Sequence, residues 1–288
     1  MTINLVVNVH RRDAVAAAHE AAKFILSRGL QCGAEPSVAE DVGVPAVPLD
    51  QIGDADYVIS FGGDGTLIRG AHLCSERGTP ILGVYFGRFG FVTQCTAEEV
   101  GAVVSELIDG RPKLEDRMML RGELMRAGQP VATLHALNEI ALQRSIEARM
   151  MTFEVVIDGL RIANYPADGI LVSSPTGSTA YNLSVGGPIV EPSVELLLVN
   201  AIAPHTLNAR PLVLSPNSEV QLNVRTEGDS VMSADGQTRL HLLTGDAVRV
   251  TRSERKTRLV SVDRQDFLNK IGERLFWGLA AEHPSGPS

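Results

Sequence analysis

Tyr57-Val58-Ile59-Ser60-Phe61 is an apolar, β-branched and aromatic run that stops abruptly at Gly62-Gly63-Asp64-Gly65-Thr66. A run of that composition ending in glycines predicts a buried strand opening into a tight loop. Leu67 to Arg77 follows with Leu67, Ala71 and Cys74 at helical spacing, so the loop joins the carboxyl end of a strand to the amino end of a helix. Backbone N–H groups converge at such a junction, and an anionic phosphate binds well there. The glycines let the main chain approach a ligand closely. Asp64 adds one carboxylate, which suits a metal partner or a general base for an incoming hydroxyl better than it suits a phosphate ligand. A strand-to-helix turn with an Asp cap is the plainer reading of the same residues.

The first hundred or so residues alternate strand and helix signals. Ile3 to Val9 reads as a strand, and Ala14 to Ser27 as an alanine-rich helix closed by Gly29. Pro80 to Tyr85 reads as a further strand, and Ala97 to Ile108 as a helix ended by Gly110 and Pro112. Alternation of this kind predicts a parallel sheet covered by helices. After Leu114 the texture changes to short β-type runs: Phe153 to Ile157, Arg161 to Asn164, Glu219 to Thr226, Val231 to Ala234, Ala247 to Thr251 and Arg258 to Val262. Asp158-Gly159, between the first two, is a hairpin signal. Consecutive strands without intervening helices predict an all-β domain. The expected division is an α/β domain over 1–114, a β-rich domain over 115–263, and a returning segment over 264–288. Gln265 to Phe276 reads as an amphipathic helix whose face of Phe267, Leu268, Ile271 and Leu275 packs back on the first domain.

Net charge is −8, and basic residues cluster only in short stretches such as Arg252 to Arg258. That argues against a nucleic acid or an anionic membrane as partner, while a pocket for a phosphorylated small molecule needs only a few cations. Cys32, Cys74 and Cys95 form no C-x-x-C pair and fit a reducing cytoplasm as small core residues. The histidines lack metal-ligand spacing. Met1 to Val9 reads as a first strand and not as a signal peptide, and no apolar run reaches the length of a membrane helix. Glu282 to Ser288 is expected to be disordered.

Asp168 to Tyr181 holds six hydroxyl side chains and two glycines in fourteen residues. Small hydroxyl residues offer close backbone approach with donors and acceptors, which suits sugar hydroxyls and phosphates, and Tyr181 offers a flat face to a purine. The competing reading is a capped helix start at Thr176 or Ser178. Asn138-Glu139 interrupts the apolar run Leu134 to Leu142, where it either binds ribose hydroxyls or an adenine edge, or marks the wet face of a half-buried strand. Asp235-Gly236-Gln237 reads first as a hairpin turn. A Walker A loop, a G-x-G-x-x-G before the first helix, a nucleophile elbow and a protein-kinase catalytic loop are all absent from the sequence.

Taken in order, Gly62 to Thr66, Gly87 to Thr93, Asn138-Glu139, Asp168 to Tyr181, Gly186-Gly187-Pro188, Pro204-His205, Arg210-Pro211 and Asp235-Gly236-Gln237 resemble the NAD kinase family, from the first strand to Trp277. The glycine loop alone also occurs in lipid kinases and phosphofructokinases; the ordered set is far more specific. The resemblance implies an α/β domain plus a β-sandwich-like domain, and phosphorylation of the adenosine-ribose 2′-hydroxyl of NAD to NADP by ATP or polyphosphate. Carried over by position, it implies Asp64 as general base, with Gly65 and Arg69 lining the phosphate region. It implies Asn138, Glu139 and Arg149 holding the dinucleotide, Asp168 and the run Thr179, Ala180, Tyr181, Asn182, Leu183 and Ser184 gripping ribose and base, and Gln237 closing the pocket. Magnesium bridging the donor phosphates, a cytoplasmic location and a homo-dimer or tetramer are further implications. The chain departs from many members at Tyr85, Phe89, Pro166 and Ser174, positions that bear on NAD against NADH preference. The rival readings are a lipid kinase of the diacylglycerol type and a dinucleotide sensor without turnover.

Overall fold

The computed structural model describes residues 1–86, 90–92, 95–145, 150–260, 267–268 and 271–272. The first unit alternates as expected: β1 (Thr2–Val7), α1 (Arg12–Ser27), β2 (Gln31–Ala34), the single turn α2 (Ala39–Val42), β3 (Tyr57–Gly62), α3 (Asp64–Cys74), β4 (Ile81–Tyr85) and α4 (Val100–Ile108). Its strands are all parallel, in the order β4-β3-β1-β2. Ala14, Ala18, Ala21, Ala22 and Ile25 make the buried stripe of α1, at the spacing that keeps one helical face on a sheet. Gly29 then takes the left-handed φ of 73° that ends the helix. On the other face Leu67, Ala71 and Cys74 of α3 pack with Val6, Val58 and Ile81.

The second unit contains β5 (Leu114–Arg126), β6 (Gln129–Ala136), β7 (Glu139–Arg144), β8 (Met151–Ile157), β9 (Leu160–Ser173), the short α5 (Tyr181–Ser184), β10 (Leu197–Pro204), β11 (Leu212–Leu214), β12 (Val220–Arg225), β13 (Ser230–Ala234), β14 (Thr238–Leu242) and β15 (Ala247–Val260). Every pairing among them is antiparallel. Asp158 and Gly159 both take positive φ, 50° and 80°, which is the two-residue turn their sequence predicts.

Three boundaries differ from the sequence reading. Arg161 to Asn164 and Ile170 to Val172 belong to one strand, because β9 pairs with β8 along its first half and with β7 and β10 along its second. Ala247 to Thr251 and Arg258 onward likewise form one strand, whose register shifts between Arg252 and Lys256, where the charged residues sit. The apolar stretch Leu134 to Leu142 is two strands with a corner at Leu137-Asn138.

The two units are continuous. β15 runs antiparallel to β5, and at Leu259 it adds parallel to Ile81 of β4, extending the first sheet. The chain therefore returns to the parallel unit before the expected final helix. Of that helix Phe267, Leu268, Ile271 and Gly272 are described and helical; Leu275 and the tail Glu282 to Ser288 lie outside the described residues. Phe267 is buried, but Leu268 is 56% exposed, so Leu268 does not belong to the docking face assigned to it.

Candidate active site

In the strand order β4-β3-β1-β2 the chain leaves β1 for β2 on one side and comes back to β3 on the other. The carboxyl ends of β1 and β3 thus flank the switch point of the sheet, where open α/β folds hold ligands. Val7 to His10 follow β1 there, and Gly62 to Gly65 follow β3. Between them lies a cavity of about 290 Å³ whose walls include Asn8, His10, Gly65, Thr66 and Arg69. A methyl group on Gly62 would lie 2.2 Å from Thr66 Oγ1, whereas one on Gly65 would meet nothing within 4 Å. Gly62 is needed for packing, and Gly65 leaves open space beside the start of α3.

Asp64 is the first residue of α3. Its carboxylate accepts the N–H groups of Phe91 (2.8 Å) and Val92 (3.3 Å), which holds the chain after β4 over the glycine loop. Arg69, one turn and a half further along α3, grips the Glu35 carboxylate through both terminal nitrogens and donates to the Val7 carbonyl at 3.1 Å. Among the described residues there is no group of three metal-ligating side chains.

The corner at Leu137-Asn138 is fixed by hydrogen bonds on both of its sides. Asp235, in the turn between β13 and β14, has a side chain with no exposure, and its carboxylate accepts three successive N–H groups: Leu137 (2.8 Å), Asn138 (2.8 Å) and Glu139 (3.0 Å). On the other side the Asn138 carbonyl accepts from Ser173 Oγ (3.1 Å) and Ser174 N–H (2.8 Å), and the Leu137 carbonyl from Ser174 Oγ. A methyl on Gly177 would lie 2.2 Å from the Asn138 carbonyl oxygen, so only glycine fits beneath this corner.

With its backbone saturated, the corner leaves two side-chain oxygens over. Asn138 Oδ1 and Glu139 Oε2 are buried with no hydrogen-bond partner, and each residue is only 7% exposed. A buried polar atom without a partner costs about 1–3 kcal/mol, so a pair of them on adjacent residues marks a place where a water or a ligand would bind. Burial, and then the neighbouring Asp235 charge, push the Glu139 carboxyl up to about 8. At neutral pH Glu139 is therefore chiefly protonated and can donate as well as accept.

The same turn ties the two units together. His72 Nε2, two turns along α3 from Asp64, lies 2.7 Å from Asp235 Oδ2, and Gln237 Nε2 donates to the Gly65 carbonyl at 3.3 Å. The helix α3, which begins at Asp64, and the Asn138-Glu139 corner are thus tied to one another through Asp235. Asp235 and His72 are the residues that sequence reasoning missed. Asp235 and Gly236 do form the expected turn, with φ of 51° and 67°, and nothing in a turn motif reveals what its carboxylate binds.

The hydroxyl-rich segment needs correction. Ser173, Ser174 and Ser178 are fully buried; the first two support the corner, and Ser178 Oγ both donates to the Val190 carbonyl (3.2 Å) and accepts the Val190 N–H (3.0 Å). These hydroxyls are internal struts, and none of them is open to a sugar. The departure at Ser174 accordingly bears on the corner. Asn182 is fully buried, its Nδ2 donating to the Pro188 carbonyl at 3.2 Å, while its Oδ1 has no hydrogen-bond partner. Thr179, Ala180, Tyr181 and Leu183 are half-buried and Ser184 is exposed. Tyr181 packs on Ala141, Leu171 and Ile202, and its hydroxyl accepts from Gln143 Nε2 at 2.8 Å. Asp168 pairs through Oδ1 with Arg144 at 2.7 Å, and its side chain stays 37% exposed. Arg149 and Phe89 lie outside the described residues, as do three of the residues from Gly87 to Thr93 besides Phe89.

Two family models cover most of the chain: the ATP-NAD kinase N-terminal domain matches residues 3–112 and the ATP-NAD kinase C-terminal domain residues 137–262. An NAD kinase of Moorella thermoacetica is 37% identical across 99% of this chain and 93% of its own length. One of Geobacter sulfurreducens is 37% identical across 96% of this chain and 98% of its own. Among solved structures, yeast NADH kinase complexed with NADH matches at a TM-score of 0.91 and 25% identity, covering 97% of this chain and 89% of that one. An NAD kinase from Archaeoglobus fulgidus in complex with ATP matches at 0.76 and 26% identity, covering 95% and 98%.

Proposed function

The chain belongs to the NAD kinase family, and we propose that the space between Asp64 and the Asn138-Glu139 corner is the cleft where it passes the terminal phosphate of ATP or polyphosphate to the adenosine-ribose 2′-hydroxyl of NAD, making NADP. The observation that carries this is the pair of buried, partnerless oxygens on Asn138 and Glu139, on a corner that Asp235 ties to the helix carrying Asp64. They supply acceptors, and a protonated Glu139 a donor, for a polar dinucleotide. A lipid headgroup has no use for so enclosed an array. The related yeast structure holds NADH and the archaeal one ATP, which agrees with a dinucleotide acceptor and a nucleotide donor.

Phosphoryl transfer asks a protein for alignment, charge neutralisation and a base. Asp64 takes the proton from the attacking hydroxyl. Its two bonds from the Phe91 and Val92 N–H groups aim the carboxylate. Gly65 and Arg69 face the donor phosphates in the 290 Å³ cavity, where the start of α3 favours an anion. Tyr181, Thr179 and Ala180 form the wall beside the base, and Gln237 spans the cleft to Gly65. A bound magnesium ion would offset the charge of the donor phosphates. Both Asp64 oxygens already accept N–H groups, so such an ion would be held chiefly by the phosphates themselves and by water.

The cytoplasm is the compartment we assign, on three buried free thiols whose burial pushes them up to about 12. No helix among the described residues is long and apolar enough to cross a membrane. Assembly as a homo-dimer or tetramer is part of the same proposal. The test is a matrix of ATP or polyphosphate against NAD or NADH, with magnesium, reading NADP or NADPH in a coupled assay. Phosphorylation of diacylglycerol in vesicles without dinucleotide turnover, or dinucleotide binding without any turnover, would overturn it.

A further inference from the structure

We propose that Glu35 is a positioning residue for the phosphate donor, acting through Arg69. Glu35 follows the last residue of β2, on the far side of β1 from the glycine loop, and its side chain is 2% exposed. A carboxylate that deep needs partners. It has the Val7 N–H at 2.9 Å and both terminal nitrogens of Arg69, one of them at 2.8 Å. Arg69 also donates to the Val7 carbonyl at 3.1 Å, so the guanidinium is bolted to the end of β1 as well as to Glu35.

This fork uses three of the five N–H donors of Arg69. Its Nε–H and the second Nη1–H have no partner among the described residues, and the side chain, 37% exposed, lines the cavity beside Gly65 and Thr66. An unrestrained arginine at the mouth of a crevice would extend into water, and ordering it would cost rotamer freedom on every binding event. Glu35 removes that freedom in advance and sets the plane of the guanidinium. Because the pair is neutral as a whole, Arg69 then offers the donor directed hydrogen bonds more than net charge.

The inference rests on the reading that this cavity takes the donor phosphates. Steady-state kinetics of the full-length protein with magnesium, ATP and NAD test both. Glu35→Gln keeps the shape and loses the fork; the expected result is a KM for ATP raised about tenfold, the scale of one charge-assisted contact, with the KM for NAD within about twofold. Glu35→Asp should recover part of the loss. In an Arg69→Ala background, Glu35→Gln should add no further change in the KM for ATP, because its action passes through Arg69. A role confined to folding would instead lower thermal stability and kcat without separating the two KM values, and would overturn the proposal. So would an unchanged or lowered KM for ATP in Glu35→Gln. If Arg69→Ala itself leaves the KM for ATP unaltered, it is the donor-site reading that fails.

Discussion

Replacing Asp235 by Asn tests the bracing of the cleft most directly. The change conserves volume and turns one oxygen into a donor. With Oδ1 kept on the Asn138 and Glu139 N–H groups, the new amide nitrogen faces the Leu137 N–H and His72 Nε2. His72 can respond, because a neutral imidazole with its proton on Nδ1 presents Nε2 as an acceptor. The Leu137 N–H cannot, and a buried donor left without an acceptor costs about 1–3 kcal/mol. The two remaining bonds lose their charge assistance, which brings the total to about 2–4 kcal/mol. Calorimetry should show Tm lower by about 5–12 °C for a chain of this size. Kinetically, the corner carrying Asn138 and Glu139 loosens, so the KM for NAD should rise by about tenfold or more while the KM for ATP moves less. The Glu139 carboxyl, no longer beside a charge, should titrate lower than about 8. Wild-type Tm together with a wild-type KM for NAD would refute the idea that Asp235 holds this corner.

Asp64→Asn should retain NAD binding and lose at least about two orders of magnitude in turnover, the usual span for a general base; near-normal turnover would remove Asp64 from that role. Glu139 keeps a proton in the folded state that the unfolded chain, with an ordinary value of 4.5, gives up well before pH 8. Folding stability should therefore fall as pH rises from about 4.5 toward 8, and Glu139→Gln should flatten that slope in Tm measured against pH; parallel curves would contradict the assignment. Gly65→Ala meets open space inside a helix and should keep or raise stability by about 0.5–1 kcal/mol while raising the KM for ATP. Gly177→Ala drives a methyl into the Asn138 carbonyl and should cost about 1–3 kcal/mol in chemical denaturation, with the KM for NAD raised; a harmless substitution there would show that the corner yields easily.

The local features of this protein are written in its sequence because short-range sterics produce them. Apolar Tyr57 to Phe61 ending in glycines is a strand opening into a tight loop before a helix, and Asp158-Gly159 carries the positive φ values of its hairpin. The alanine spacing of α1 and the burial of the three cysteines follow from the same local and hydrophobic rules. Tertiary structure alone decided which polar groups meet. Whether β9 is one strand or two depended on the three strands that pair with it. The hydroxyls from Ser173 to Ser178 resemble ligand contacts in sequence, yet most of them became struts once folding brought the Asn138 carbonyl above them. The decisive links join residues 34 apart at Glu35 and Arg69, 97 apart at Asn138 and Asp235, and 163 apart at His72 and Asp235. No periodicity or turn preference encodes such pairs, because each partner sits in a locally ordinary position. The sheet topology, set by burial of the apolar faces, brings them within hydrogen-bonding distance.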